Sequence, residues 1–274
     1  MVDLPSYGPF RIGLIGAALV FTLGGCGSSS RLNYDSPQDA FERGKEYYDQ
    51  GDFSRAVDYL QGAFDFGRTH QWAADAQLYL ARSYRGNKEY LLAANEFARF
   101  TQIYRSDPRV PDAEYELALT YFDRSPAFNM DQTDTERAIN QFRLFSNRYS
   151  EHPLVLEAQQ RIRELREKLA RKLFDVGKLY EKRRLYQAAA LSFESVFDTY
   201  YDSTWADDAL LGAMSMYFEY GKQSVEGRQS ERFQMAIDNY DRLIQIFPDS
   251  PVVKDAEALY RVINQTMEDL RQGS

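Results

Sequence analysis

The sequence predicts an all-α protein built as a solenoid of about five helical hairpins. Three observations carry this expectation. An acidic residue followed by alanine recurs at Asp75-Ala76, Asp112-Ala113, Glu157-Ala158, Asp208-Ala209 and Asp255-Ala256. Small and aromatic residues keep a common spacing within each unit. No period-two alternation of the kind a half-buried strand requires competes with this pattern.

The lead-ins to the acidic-alanine pairs define the hairpin boundaries. Tyr104 to Pro108, Tyr149 to Pro153 and Phe247 to Pro251 each precede a pair, and Tyr200 to Thr204 does so with Thr in the proline slot. Proline cannot continue the preceding helix but suits the first turn of the next one, where an acidic residue then meets the positive end of the helix dipole. Within the units the spacing resembles the tetratricopeptide repeat, with small residues near positions 8, 20 and 27 and aromatics near 11 and 24. Unit one supplies Gly44, Tyr47, Ala56, Leu60 and Ala63, with Gly51 at the turn. Unit two supplies Ala81, Tyr84, Ala93 and Phe97, with Phe100 in a slot usually held by a small residue. Unit three supplies Ala118, Tyr121, Ala138, Phe142 and Phe145. Unit four supplies Gly177, Tyr180, Ala189, Phe193 and Val196, and unit five supplies Met214, Tyr217, Ala236, Tyr240 and Leu243. Small residues let paired helices approach, and the facing aromatic fills the remaining gap.

Two departures from regularity are informative. The interval from the position-11 tyrosine to the position-20 alanine is extended in unit three by residues 123–134 and in unit five by residues 221–230, so both insertions fall at the same edge of the solenoid. Leu154 to Arg183 contains no proline and a single glycine, which predicts one long helix joining an N-terminal half to a C-terminal half. The expected organisation is residues 1–25 as leader, 26–34 as tether, 35–153 as the N-terminal half, 154–270 as the C-terminal half with a capping helix, and 271–274 as a disordered tail.

The leader reading rests on Cys26, the single cysteine of the chain. It follows an apolar run over residues 12–23, too short for a membrane-spanning helix, and the dipeptide Gly24-Gly25. Leu23-Gly24-Gly25-Cys26 resembles the bacterial lipobox, which implies cleavage before Cys26, a diacylglyceryl thioether on its sulfur and palmitate as lipid. Gly27-Ser28-Ser29-Ser30 then reads as a flexible tether. By the same resemblance, Gly27 rather than Asp after the cysteine favours the outer membrane. With its cysteine committed to lipid, the fold has no disulfide to rely on.

Charge and composition exclude several function classes. A net charge of −8 is unsuited to holding a phosphate backbone, so no nucleic-acid partner is expected. The two histidines, His70 and His152, lie in turn regions without cysteine partners, and neither a zinc site nor a nucleophile–histidine set is supported. No Gly-rich phosphate loop occurs, and no carboxylate pair stands out from the solvated acidic residues such as Glu164, Glu167 and Glu181. The chain is therefore read as a non-enzyme without a cofactor.

Taken together, the lipobox cysteine, short tether, five tetratricopeptide-like units, long insertions in the third and fifth, and bridging helix resemble the BamD (ComL-type) family of outer-membrane assembly lipoproteins. That resemblance implies a protein on the periplasmic face of the outer membrane that binds the periplasmic domains of a BamA-like β-barrel protein through its C-terminal half. It also implies that unfolded β-barrel precursors are received in the N-terminal half, in company with other lipoproteins of the complex. A different tetratricopeptide lipoprotein, an adaptor in envelope constriction or polysaccharide export, would share the anchor and the repeats.

Two candidate sites follow. The concave positions of the first three units fall on Phe41, Lys45 and Tyr48, on Leu78, Arg82 and Arg85, and on Tyr115, Leu119 and Phe122. Barrel precursors often end in an aromatic residue, so rings beside Lys45, Arg82 or Arg85 would engage both its side chain and its terminal carboxylate. The same rings equally fit a role as helix-packing residues. For the BamA-like partner, the resemblance points to the C-terminal half, including the loop from Gly221 to Glu231 and the cations Lys222, Arg228 and Arg232.

Overall fold

The computed structural model describes residues 32–273. The leader, Cys26 and the Gly-Ser tether lie outside the described residues. From Tyr34 onward the chain forms one contact unit. Among the described residues there are eleven α-helices and no strand: α1 (Pro37–Asp49), α2 (Phe53–Gly62), α3 (Ala73–Gly86), α4 (Tyr90–Ile103), α5 (Val110–Arg124), α6 (Thr133–Arg148), α7 (Val155–Lys182), α8 (Tyr186–Tyr200), α9 (Ala206–Lys222), α10 (Glu226–Ile246) and α11 (Val253–Gly273). Successive pairs form the five hairpins, and α11 packs against α9 and α10 at the end.

Local chemistry sets the helix ends. Ser36 caps α1 by accepting from the Asp39 N–H at 3.1 Å, with Pro37 in the first turn. Three of the hairpin turns share one construction. Gly51, Lys88 and Arg184 each stand four residues after the position-11 tyrosine with φ of 78°, 63° and 59°. In each case the next residue's N–H returns to the carbonyl of that tyrosine, from Asp52 at 2.9 Å, Glu89 at 2.8 Å and Leu185 at 3.0 Å.

The small and aromatic positions pack as their spacing requires. Ala56, Ala81, Ala93, Ala118, Ala138, Ala189 and Ala236 are fully buried, as are Phe97, Phe100, Phe142 and Phe145. Phe100 occupies its usually small slot beneath Tyr104, with ring centroids 5.4 Å apart. The side chains divide into three cores. The first joins α1 to the start of α5, the second joins α5 and α6 to the first half of α7, and the third runs from the second half of α7 to α11.

The long helix is present as 28 residues, about 42 Å at the helical rise. It belongs to both halves: Ala158 and Leu165 close the second core, and Ala170 belongs to the third. The expected long helix joining the two halves is thus one through which the second core hands over to the third.

Two expectations are corrected. Only Gln223–Val225 separates α9 from α10, so most of the fifth-unit insertion is added helix. Glu226 occupies the first turn, Arg228 pairs with Glu231 one turn on at 2.7 Å, and no proline interrupts the segment. The expected tail also shrinks, because α11 continues to Gly273. The third-unit insertion is a true loop over residues 125–132, held by buried Gln132, whose Nε2 donates to the Ala127 carbonyl at 2.8 Å and the Met130 carbonyl at 3.1 Å.

Candidate functional site: the groove of the first three repeats

The nine groove residues sort by register. Phe41, Leu78 and Tyr115, all at position 5, are buried. Phe41 stacks on Trp72 at 5.4 Å, and Tyr115 packs against Phe142 and Phe145. These three present no surface to a ligand. Burial, followed by the influence of the Glu157 carboxylate, pushes the Tyr115 hydroxyl up to about 12. The six residues at positions 9 and 12, Lys45, Tyr48, Arg82, Arg85, Leu119 and Phe122, are all half-buried at the surface.

Tyr48, Arg82 and Arg85 come together with Phe53, Glu116 and Asp123 around a pocket of about 290 Å³. Its cations are already engaged. Arg82 Nε donates to both Glu116 oxygens, at 2.9 and 3.0 Å, and Nη2 donates to Oε1 at 2.5 Å. Arg85 Nε donates to Asp123 at 2.6 Å. Burial works against the Arg82 charge, but Glu116 outweighs it and holds the guanidinium above its ordinary value. Lys45 pairs with Asp49 at 2.5 Å and lies over the Tyr79 ring at 5.6 Å. Leu119 and Phe122 face the second core instead, where Arg161 covers Phe122 at 4.8 Å.

The spacing rule missed Tyr79. It stands 5.2 Å from Tyr48 and 5.8 Å from Phe41, edge to face with each, and Arg82 lies 5.7 Å from its ring. It also missed Glu116, although a signal for it was present: Glu116 follows Arg82 by 34 residues, one repeat period. Two further pairs, Arg109–Asp75 and Arg148–Glu114, use the same interval. The groove is thus an aromatic wall lined by internally neutralised cations, suited to the side chains of an extended segment more than to a free carboxylate.

At the C-terminal end, Lys222 pairs with Glu219 at 2.5 Å and Arg228 with Glu231. The Arg232 guanidinium stacks on Tyr220 at 3.7 Å and donates to Ser224. Arg228 and Arg232 therefore project from the first turns of α10 rather than from a loop. Among the described residues no cluster of three or more His, Cys, Asp or Glu could hold a metal ion, and no helix is long and apolar enough to cross a membrane.

The stacked hairpins and the aromatic groove along the first three of them define a helical-repeat scaffold. Residues 33–233 match the model of a family described as YfiO, outer membrane lipoprotein, and the chain belongs to that family. It is 26% identical over 184 residues to outer membrane protein assembly factor BamD of Caulobacter vibrioides, a match covering 66% of this chain and 59% of that protein. It is 24% identical over 237 residues to the protein of the same name in Vibrio cholerae, covering 81% of this chain and 96% of that one. Among solved structures, a tetratricopeptide-repeat protein of Bacteroides fragilis covers 85% of this chain and is itself fully covered, at 10% identity and a TM-score of 0.47. That likeness is too distant to bear on function.

Proposed function

We propose that this chain is a non-enzymatic lipoprotein of the β-barrel assembly machinery, anchored through Cys26 to the periplasmic face of the outer membrane. In this reading the N-terminal groove, with Tyr48, Tyr79, Arg82 and Arg85 on its wall, receives unfolded β-barrel precursors. The C-terminal half, with Lys222, Arg228 and Arg232 at the start of its last hairpin, meets the periplasmic domains of a BamA-like protein, and other lipoproteins join the assembly. The observation that carries the reading is the family match across residues 33–233, which spans the groove and reaches the first turns of α10.

Purification of the lipidated protein from outer membranes in mild detergent, with identification of what accompanies it, tests this reading. A stoichiometric β-barrel protein bearing periplasmic domains is expected. Recovery with envelope-constriction or polysaccharide-export proteins would instead make the chain an adaptor of another kind.

A further inference from the structure

The two halves of the molecule meet through one helix. The first half of α7 packs on α6 and its second half on α8. Among the described residues, no hydrogen bond or ion pair runs directly from residues 35–153 to residues 183–260. The polar ties that secure both halves to the middle of α7 start from residues 166–172, about two turns of helix. On the N-terminal side, Lys168 Nζ donates to Ser125 Oγ and Lys172 Nζ to the Met130 carbonyl, both at 2.7 Å. On the C-terminal side, Arg166 Nη2 donates to Asp202 at 2.6 Å and to the Thr199 carbonyl at 2.8 Å, and Glu167 accepts from the Thr204 N–H at 3.0 Å.

One side chain reaches both sides. The Arg171 guanidinium lies 4.1 Å from the ring centre of Phe128, in the third-repeat loop, and 5.9 Å from that of Trp205, at the start of α9. Among the described residues no hydrogen bond or ion pair engages Arg171, so the two rings are its attachment. The space around this joint is only partly filled. A cavity of about 450 Å³ lies under the loop beside Lys168, Arg171 and Trp205, and another of about 280 Å³ lies beside Arg143, Arg166, Leu169 and Tyr200. Positions 168 and 171 stand about 160° around the helix from 166 and 169. The two cavities therefore flank opposite faces of α7, where a close-packed helix would be held by its neighbours but this one has room to bend or roll.

We infer that the third-repeat loop is a strap across this joint, with Arg171 as the pin between Phe128 of one half and Trp205 of the other. It holds the first three repeats and the last two at one mutual angle. The strap is itself stiff. Gln132 ties the Ala127 and Met130 carbonyls together, and Ser125 Oγ lies 2.5 Å from Thr135 Oγ1 at the start of α6. With the pin removed, only the bending resistance of α7 restrains the angle. The inference does not depend on what either end of the molecule binds.

The test places donor and acceptor dyes at Leu91→Cys on α4 and Val262→Cys on α11, both exposed positions outside the joint. The full chain is used with Cys26→Ser, so that only these two sites react, and single-molecule energy transfer reads the distance between the halves. The native strap should give one narrow distribution. Arg171→Ala or Phe128→Ala should widen it at least about twofold, and the double replacement should widen it no further, since both remove one joint. Arg161→Ala, which uncovers Phe122 within the N-terminal half, should leave the width unchanged. An unchanged width in an Arg171→Ala protein that melts like its parent overturns the inference. So does equal widening by Arg161→Ala, which would show general loosening instead of a pin. The native protein supplies a readout that needs no folded variant. The Met130 N–H, bonded to the Ala127 carbonyl at 3.0 Å within the strap, should exchange with solvent at least about tenfold more slowly than in a free chain, and exchange at the free rate would show the strap detached.

Discussion

Arg82 and Glu116, 34 residues apart, close a two-pronged ion pair between neighbouring repeats in the wall of the groove. Their side chains are 28% and 17% exposed, so each charge relies on the other more than on water. Replacing either partner alone, as in Arg82→Gln or Glu116→Gln, should cost about 1–3 kcal/mol. The double replacement should cost less than the two losses added. Urea unfolding of the four proteins provides the cycle, and strict additivity would show that the pair contributes no coupling.

Gly177 lies under the Phe193 ring, and a Cβ there would stand 2.6 Å from Cε1. Helix propensity alone would make Gly177→Ala stabilising by up to about 1 kcal/mol. The contact reverses that sign, and a loss of about 1–3 kcal/mol is expected. Gly227→Ala, where a Cβ meets nothing within 4 Å, should give a small gain. Thermal melts of both variants read the contrast directly.

The three matched turns allow a test of backbone strain. Arg184 adopts φ of 59° where Gly51 adopts 78°. A side chain in that region costs about 1–2 kcal/mol, partly offset by the greater freedom of glycine in the unfolded chain. Arg184→Gly should therefore stabilise the protein by up to about 1 kcal/mol, while Gly51→Ala should destabilise it by a similar amount. A destabilised Arg184→Gly would mean that its side chain matters more than its backbone.

Two aspartates fix an acid dependence. Hydrogen bonds from Arg109 hold the Asp107 carboxyl below its ordinary value, and Arg166 does the same for Asp202. Since their folded values are depressed, the stability they contribute is complete above about pH 4 and is lost as pH falls through the folded values. Asp107→Asn combined with Asp202→Asn should show a shallower decline in stability as pH falls below about 4. An unchanged slope would assign the acid sensitivity to other carboxylates.

The repeat framework was legible in the sequence because each small–aromatic pairing answers a local demand of two close helices. Gly177 under Phe193 and Ala93 in its buried slot follow from spacing alone. The groove was only half legible. The concave-position rule treats positions 5, 9 and 12 alike, yet position 5 turns into the helix interface and takes Phe41, Leu78 and Tyr115 out of reach. Nor does composition reveal whether a cation is free. Arg82 and Lys168 read identically until their partners, Glu116 one repeat on and a lone serine hydroxyl on a neighbouring loop, are in place. The insertion at residues 221–230 showed its length but not its conformation, since helix-forming residues from Glu226 onward extended α10 instead of forming a loop.

The handover within α7 gives the molecule an angular register. Ala158 and Leu165 face one core and Ala170 the next, so their relative azimuth is set by the residue count between them. Each added residue turns everything downstream by about 100°. A single insertion beside Leu169 would therefore swing the last two hairpins around the helix axis relative to the first repeats, even with every repeat intact. The relation between the first repeats and the last two hairpins is thus built as a phase as well as a distance, and length variation that the exposed turns absorb readily is costly in this helix.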